Sequence, residues 1–243
     1  MTLPDLHVLG LVWLGAFLGA LAAGGAGFAF ALAASSIWLH ALDPLHTTAF
    51  VVASGTLLHA GFVWSMRRTI EPARLGPFLV GAVLGIPIGV RILAHSDSRP
   101  LKVALGGFLI LYGTYALVMP RLPYIGRGGR PADGLIGFVG GLLGGIGGYS
   151  GVLPTIWTQL RGWPKETARA VYQPYILACQ VLTLTLVGAM AFDRAAALLF
   201  ATAVPALLLG AWIGWRIYGR LDDRRFRQVL AVLLVASGAT LAL

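Results

Sequence analysis

Two glycine-rich stretches interrupt long apolar runs in this chain and limit the folds that it can adopt. The first, AAGGAGF at 22–28, lies within an apolar run over about 6–39, and the second, GGIGGYS at 144–150, lies within about 135–160. Roughly 20 helical residues cross a bilayer, so the first run is too long for one straight helix and too short for two. We therefore predict that each run forms two half-length helices that meet at a glycine turn.

Such a break is informative because lipid offers no hydrogen bonds to bare backbone groups. A turn at membrane depth is tolerated only where it faces protein or a water-filled cavity. The N-terminus of the second half-helix then presents free N–H groups and a positive dipole end, which suit an anion. The alternative is that these glycines only allow close helix packing.

Composition places the chain in a membrane. It is 58% hydrophobic and 11% charged, with a mean hydropathy of +0.82, whereas a soluble domain carries about 25% charge. The net charge of +9 does not indicate nucleic-acid binding, because the basic residues fall at the edges of apolar segments. The first five residues contain no Lys or Arg, so we expect no cleaved signal peptide. The single cysteine, Cys179, excludes an internal disulfide.

The segments form two similar halves of four. We predict a first membrane repeat at 1–118, a linker at 119–131 that is rich in Pro, Gly and Arg, and a second repeat at 132–243. The predicted segments are about 6–39, 45–66, 75–93 and 101–118, then 135–160, 167–190, 195–215 and 226–243. The fold class is therefore all-α, a polytopic membrane protein in which each repeat starts with a glycine-broken helix.

Internal sequence similarity supports the duplication. Gly15, Gly19 and Gly25 recur as glycines 122 positions later, at 137, 141 and 147. The run from Gly85 to Ile92 aligns with 210–217, at an offset of 125. Two related halves are a common plan among transporters.

The distribution of basic residues predicts the topology. If both broken segments are re-entrant and do not cross, all 18 Lys and Arg residues except Arg91, Arg99, Lys102 and Arg194 share one side. Full crossing by all eight segments divides them more evenly. The positive-inside rule therefore favours re-entrant segments, inverted repeats and both termini on the non-cytoplasmic side of a bacterial inner membrane.

Several of these features together resemble the TauE/SafE-type sulfite exporter family. They are the broken first helix, the Pro-x-x-Thr starts at Pro44 and Pro164, the Gly-x-x-x-Gly-x-Arg ends at Arg91 and Arg216, and the duplication. The resemblance spans about 6–243. It implies a transporter of small sulfur-containing anions such as sulfite, sulfoacetate or other organosulfonates. Some members of the family are assigned to other small organic acids.

Candidate site residues are glycine-turn residues and polar groups within or at the ends of spans. Tyr172 and Tyr175 lie one helical turn apart and so share a face, and polar groups in a membrane helix favour the bundle interior. The predicted substrate-binding set is Gly25, Ala26, Gly27, Phe28, Gly147, Gly148, Tyr149, Ser150, Tyr172, Gln173, Tyr175, His59, Arg169, Arg91 and Arg216.

Each candidate has a structural alternative. Tyr172 and Gln173 can make ordinary interhelical hydrogen bonds, and Arg169 can be an interfacial arginine. Arg91 and Arg216 can anchor helix ends, while His59 can line a pore or carry a proton. We predict no metal site and no cofactor, because no Cys or carboxylate cluster accompanies the histidines.

The sequence thus favours a secondary transporter over an enzyme. An intramembrane enzyme or assembly factor, a channel, and a carrier of other organic anions are the alternatives. The nearest nucleophilic set, Ser35, Ser36 and His40, lacks an orienting acid. No buried carboxylate relay is visible, so we expect export driven by the membrane potential or linked to substrate protonation. The expected partners are a small anion and the lipid bilayer, no nucleic acid is expected, and a homodimer is left open.

Overall fold

A computed structural model of the chain describes residues 6–26, 29–118, 124–126, 128–217 and the short pieces 231–232, 235–236 and 238–239. Every regular element in these residues is an α-helix, which confirms the all-α class. Five segments, at 6–24, 44–66, 72–95, 166–191 and 194–216, are long and apolar enough to cross a membrane. The predicted last segment, 226–243, lies mostly outside the described residues. The helices in the described residues are α1 (Leu6–Ala26), α2 (Phe30–Trp38), α3 (Pro44–Met66), α4 (Pro72–His95), α5 (Ser98–Val118), α6 (Gly129–Gly147), α7 (Val152–Leu160), α8 (Lys165–Ala191) and α9 (Arg194–Ile217).

Both predicted helix breaks are present, but the arms are unequal. α1 has 21 residues and α2 has 9, while α6 has 19 and α7 has 9. The prediction of two half-length helices was therefore wrong. The first break lies late in its apolar run, and α6 begins before the second run, at Gly129, so each first arm measures about 30 Å, close to the thickness of the hydrocarbon core.

The first broken segment folds into a hairpin in which α2 returns along α1. The indole Nε1 of Trp38 donates a hydrogen bond to the carbonyl oxygen of Val12, at 3.0 Å. Gly15 makes room for the Trp38 ring, and Gly19 makes room for Phe30 and Ala34. The hairpin therefore ends beside the part of α1 where it began.

The second broken segment forms a similar hairpin from α6 and α7. The indole Nε1 of Trp157 donates to Asp133 Oδ1 at 2.7 Å, and the Arg161 guanidinium lies 3.5 Å from the same oxygen. Gly140 faces the Pro154 ring. α7 thus returns along α6 to the end at which α6 starts.

Glycines let α4 and α6 pack with their backbones in contact. A methyl group added at Gly85 or Gly89 of α4 would overlap the carbonyl oxygens of Phe138 and Leu142 of α6. In the reverse direction, Gly137 on α6 faces the backbone at Phe78. We call this contact the α4–α6 seam.

α9 packs on α1 in the same way. A methyl group at Gly210 or Gly214 of α9 would run into the carbonyl oxygens of Phe17 and Leu21 of α1. We call this contact the α1–α9 seam. In both seams the first arm of one hairpin lies parallel to a helix from the other half of the chain.

The seams revise the register of the internal similarity by one residue. Phe17 holds the place in the α1–α9 seam that Phe138 holds in the α4–α6 seam, 121 positions later rather than 122. Gly15, which the 122 register pairs with Gly137, faces Trp38 of α2 instead. The predicted glycine pairing was therefore off by one, because glycines serve two different contacts on α1.

α3 and α8 pack antiparallel at the centre of the bundle. His59 of α3 contacts Gln173 of α8, while Gly55, one turn earlier, lies against Gln180, two turns later. α3 starts at Pro44 after the capping side chain of Asp43. This central contact positions the candidate site.

Candidate functional site

α8 carries polar side chains at helical spacing along the face that meets α3. Arg169, Gln173, Gln180 and Thr183 are separated by four, seven and three residues, which places them on one side of the helix. Gln173 and Gln180 are each 2% exposed and Thr183 is 0% exposed, whereas Arg169 is half-buried. We call these four residues the polar stripe. It begins near the first turn of α8 and extends past its middle.

A hydrogen bond between buried side chains ties the stripe to α3. His59 Nδ1 lies 2.5 Å from Gln173 Oε1. An amide oxygen only accepts hydrogen bonds, so the imidazole proton is on Nδ1. The edge of the His59 ring also meets Phe62, with 5.8 Å between ring centroids. The Gln173 amide is thereby held in a fixed orientation.

A cavity of about 120 Å³ opens beside Gln173 where α1, α3, α8 and α9 meet. By the same measure a water molecule needs roughly 10–15 Å³, so there is room for a small polyatomic anion. Its polar groups are one guanidinium, one carboxamide and one hydroxyl, on otherwise largely apolar walls. We call it the Arg169 pocket; its lining residues are Ala23, Gly24, Phe62, Ser65, Met66, Arg169, Gln173 and Trp215.

The chemistry of the pocket suits an oxyanion. A guanidinium is always charged and presents planar donors that match paired oxygens, and charge-assisted hydrogen bonds are about twice as strong as neutral ones. The Gln173 amide supplies a further polar group in the same wall, whereas the Ser65 hydroxyl donates its proton to the carbonyl oxygen of Phe62 at 2.7 Å. Two predicted site residues, Arg169 and Gln173, therefore line one cavity, and a third, His59, orients Gln173.

The first glycine turn reaches this pocket. Ala23 and Gly24 form part of its wall, and Gly25 and Ala26 are the next residues, in the last turn of α1. Gly27 and Phe28 lie outside the described residues. The pocket is thus built against the tip of the first hairpin.

The second glycine turn is arranged differently. Gly148 has a left-handed backbone, with φ at +78°, and its N–H donates to the carbonyl oxygen of Gly144 at 2.8 Å. The Gly148 bond is an αL-type cap on α6, which ends at Gly147, and the N–H of Tyr149 donates to the carbonyl oxygen of Leu143 at 3.3 Å. Two of the N–H groups predicted to face an anion are therefore engaged by the helix itself.

The side chains of Tyr149 and Ser150 in this turn are buried, and neither residue lines the Arg169 pocket. Tyr149 packs on Phe108, with 5.3 Å between ring centroids. The buried hydroxyls of Tyr149 and Ser150 make no hydrogen bond of ordinary geometry among the described residues, although Ser35 lies close to the first and Cys179 to the second. They remain candidates for binding a polar group at the tip of the second hairpin.

The other predicted residues do not line the Arg169 pocket. Tyr175 donates its hydroxyl to the carbonyl oxygen of Gly137 at 2.8 Å, which ties α8 to α6. Tyr172 is buried on the adjoining part of α8. Arg91 and Arg216 are exposed, and Arg216 stacks on Trp212 with its guanidinium carbon 4.3 Å from the ring centroid.

Sequence reasoning missed six lining residues: Ala23 and Gly24 directly precede the predicted Gly25, and the other four are Phe62, Ser65, Met66 and Trp215. These four come from α3 and α9, and no local pattern connects those segments. Thr183 was also missed, although its spacing from Gln180 on α8 gave a usable signal.

A multi-pass bundle of apolar helices with a cationic pocket between them is typical of membrane transporters. The family model described as Sulfite exporter TauE/SafE matches residues 10–241. The chain therefore belongs to the TauE/SafE family, as its sequence features predicted. The searches of curated proteins and of solved structures gave no significant match.

Proposed function

We propose that this protein is a secondary transporter that carries small sulfur-containing anions, such as sulfite, sulfoacetate or other organosulfonates, out of the cell across the inner membrane. The Arg169 pocket is the observation that carries this proposal. It combines a guanidinium, a Gln173 amide oriented by His59 and the Ser65 hydroxyl, and it is small. Membership of the TauE/SafE family supports the same substrate class.

The helix packing supports two inverted repeats. In the α1–α9 seam the first arm of the first hairpin packs on a helix of the second half, and in the α4–α6 seam the first arm of the second hairpin packs on a helix of the first half. α3 packs antiparallel on its counterpart α8. A two-fold axis that exchanges antiparallel helices is perpendicular to them. Such an axis lies in the plane of the membrane, as in many secondary transporters.

The hairpins support re-entrant first segments. Trp38 bonds to the start of α1 and Trp157 to the start of α6, so each hairpin returns to the end of the bundle that it left. With three crossings per half, the positive-inside rule places Arg67, Arg68 and Arg169 on the cytoplasmic side. The pocket then opens toward the cytoplasm, and both termini lie outside.

Export of an anion from this pocket needs no proton relay. A cell that is negative inside favours outward movement by about 2.3 kcal/mol per charge per 100 mV. Arg169 raises the local concentration of anions at the cytoplasmic mouth. The direction of transport then follows from the membrane potential and the substrate gradient.

Flux through the purified protein in liposomes tests the proposal. We expect saturable, potential-driven flux of sulfite or a small sulfonate, and Arg169→Gln should reduce it by at least tenfold at low substrate because the pocket loses its cation. Arg68→Gln is the matched control, since Arg68 is an exposed cation on the same side.

Three outcomes separate the alternatives. Flux that does not saturate indicates a channel. Saturable flux of carboxylates without sulfur anions indicates a different organic-anion carrier. Absence of any anion flux from well-folded protein contradicts the transport proposal and favours a non-transport role.

A further inference from the structure

The polar stripe continues beyond the Arg169 pocket into the centre of the bundle. Gln180 lies two helical turns past Gln173 on the same face of α8, about 10 Å further along the helix. Thr183 follows one turn later. Neither residue belongs to the pocket lining.

Both side chains are buried with an unused polar atom. Gln180 is 2% exposed and its Oε1 has no hydrogen-bond partner among the described residues, and the same is true of Oγ1 of Thr183, which is 0% exposed. Buried polar groups in folded proteins are nearly always paired, so two orphans on one face need an explanation. A ligand in transit can supply the missing partners.

The opposite wall leaves space for the Gln180 amide. α3 has Gly55 at this point, and a methyl group there would overlap the carboxamide. The amide therefore rests against backbone rather than against a side chain. No cation accompanies it on the stripe, because Arg169 is three helical turns away.

We infer that Gln180 and Thr183 form a second, neutral binding station, which selects monoanionic oxyanions that carry their own hydrogen-bond donor. This inference rests on the proposed transport function. An unpaired carboxamide oxygen accepts but cannot donate, so it rewards a ligand with an O–H or N–H group. Hydrogen sulfite and hydroxy-substituted sulfonates have this chemistry.

The lack of a cation explains the preference for a single charge. Moving a dianion to a buried site without a counter-charge carries a larger desolvation penalty than moving a monoanion. The station thus differs from the Arg169 pocket, where the guanidinium favours negative charge without regard to donors. The pocket collects anions, and the station discriminates among them.

Two sulfonates that differ by one hydroxyl test the inference. In liposomes at one pH, we expect the wild type to transport 2-hydroxyethanesulfonate with a KM about tenfold below that of ethanesulfonate, since one buried hydrogen bond separates them. Gln180→Met should bring the two KM values together by raising the first and leaving the second nearly unchanged. Gln159→Met, at an exposed glutamine of α7, is the matched control and should keep the ratio.

A second variant keeps the test decisive. Thr183→Val preserves the shape of the side chain and should reduce the KM ratio of the two sulfonates by less than Gln180→Met does. If Gln180→Met does not fold, the KM ratio of Thr183→Val tests the inference in its place. Equal KM values in the wild type, or a ratio unchanged in the folded variants, overturns the inference. If the wild type transports neither sulfonate nor sulfite, the proposed function itself fails instead.

Discussion

The two helical hairpins are built alike at their bases and differently at their tips. At each base a tryptophan of the short arm donates its indole N–H to the start of the long arm. The tip of the first hairpin, at Gly24, borders the Arg169 pocket. The tip of the second is closed against α3, where Gly148 meets Val51 and the carbonyl of Ile146 accepts from Thr48 at 2.9 Å. Two hairpins with similar bases thus border a polar pocket at one tip and pack against α3 at the other.

The central helices show the same difference. With Pro44 matched to Pro164, Arg169 and Gln173 of α8 correspond to Ala49 and Ala53 of α3, both of which are buried. The pocket's cation and amide therefore have no polar counterpart in the first half. The comparison teaches that similar packing in the two halves does not bring similar chemistry, because the polar groups of the pocket come from a few unmatched side chains.

The largest expected effect concerns the packing that the halves share. Gly85→Ala and Gly210→Ala each place a methyl group against a backbone carbonyl, which cannot rotate away. We expect each to lower the free energy of unfolding by about 3 kcal/mol through overpacking. Thermal melting of the purified protein measures this.

A third glycine supplies the control. Gly76 also lies on α4, but a methyl group there meets nothing within 4 Å. Gly76→Ala should leave the melting temperature unchanged or raise it slightly. If only one of the two seams proves sensitive, the halves do not share a packing device.

A moderate effect is expected where the two bases differ. The second hairpin uses the carboxylate of Asp133, which Trp157 and Arg161 share, whereas the acceptor in the first hairpin is backbone. Asp133→Ala should cost about 2 kcal/mol, because hydrogen bonds to a charged group are lost. In the Asp133→Ala background, Trp157→Phe should lower the free energy of unfolding by less than it does in the wild type. Melting shifts of the two substitutions that simply add would contradict the hydrogen bond between Trp157 and Asp133.

The smallest effect concerns the starts of the two central helices. Asp43 caps α3 by accepting from the N–H groups of Leu45 and His46 at 2.8 and 3.1 Å, whereas Pro164 gives α8 no side-chain cap. Asp43→Ala should cost about 1 kcal/mol near neutral pH, while Asp43→Asn should cost less, because asparagine keeps the cap but loses the carboxylate that contacts His46 Nδ1 at 2.6 Å.

The cap also has a pH signature. Burial raises the pKa of the Asp43 carboxyl, but hydrogen bonds from His46 and Leu45 and the charge of His46 lower it by more, so the net pKa is below the usual value. The ionised carboxylate therefore stabilises the fold at pH values above about 3.9, the pKa of the unfolded state. This stabilisation is lost as the pH falls through the lower pKa of the folded state. The melting difference between wild type and Asp43→Ala should shrink below about pH 4, and a constant difference contradicts the assignment.

The sequence predicted what depends on local chain properties. Glycine clusters indicated both helix breaks, and the spacing of polar residues on α8 indicated Gln173 and Arg169. The register error arose because the sequence does not say which neighbour a glycine accommodates, and Gly15 accommodates Trp38 rather than α9. The pocket walls at Ser65 and Trp215 depend on contacts between distant segments, which periodicity along one helix does not reveal.

The pairing of helices across the halves has a consequence for how the protein is made. The indole N–H of Trp13 in α1 donates a hydrogen bond to the Thr202 hydroxyl of α9 at 3.1 Å. Thr202 lies 189 positions further along the chain. α1 therefore has no partner for one face until α9 has been synthesised. Its small-residue surface remains in contact with lipid or an insertion factor during that interval, so completion of the fold is a late event in biogenesis.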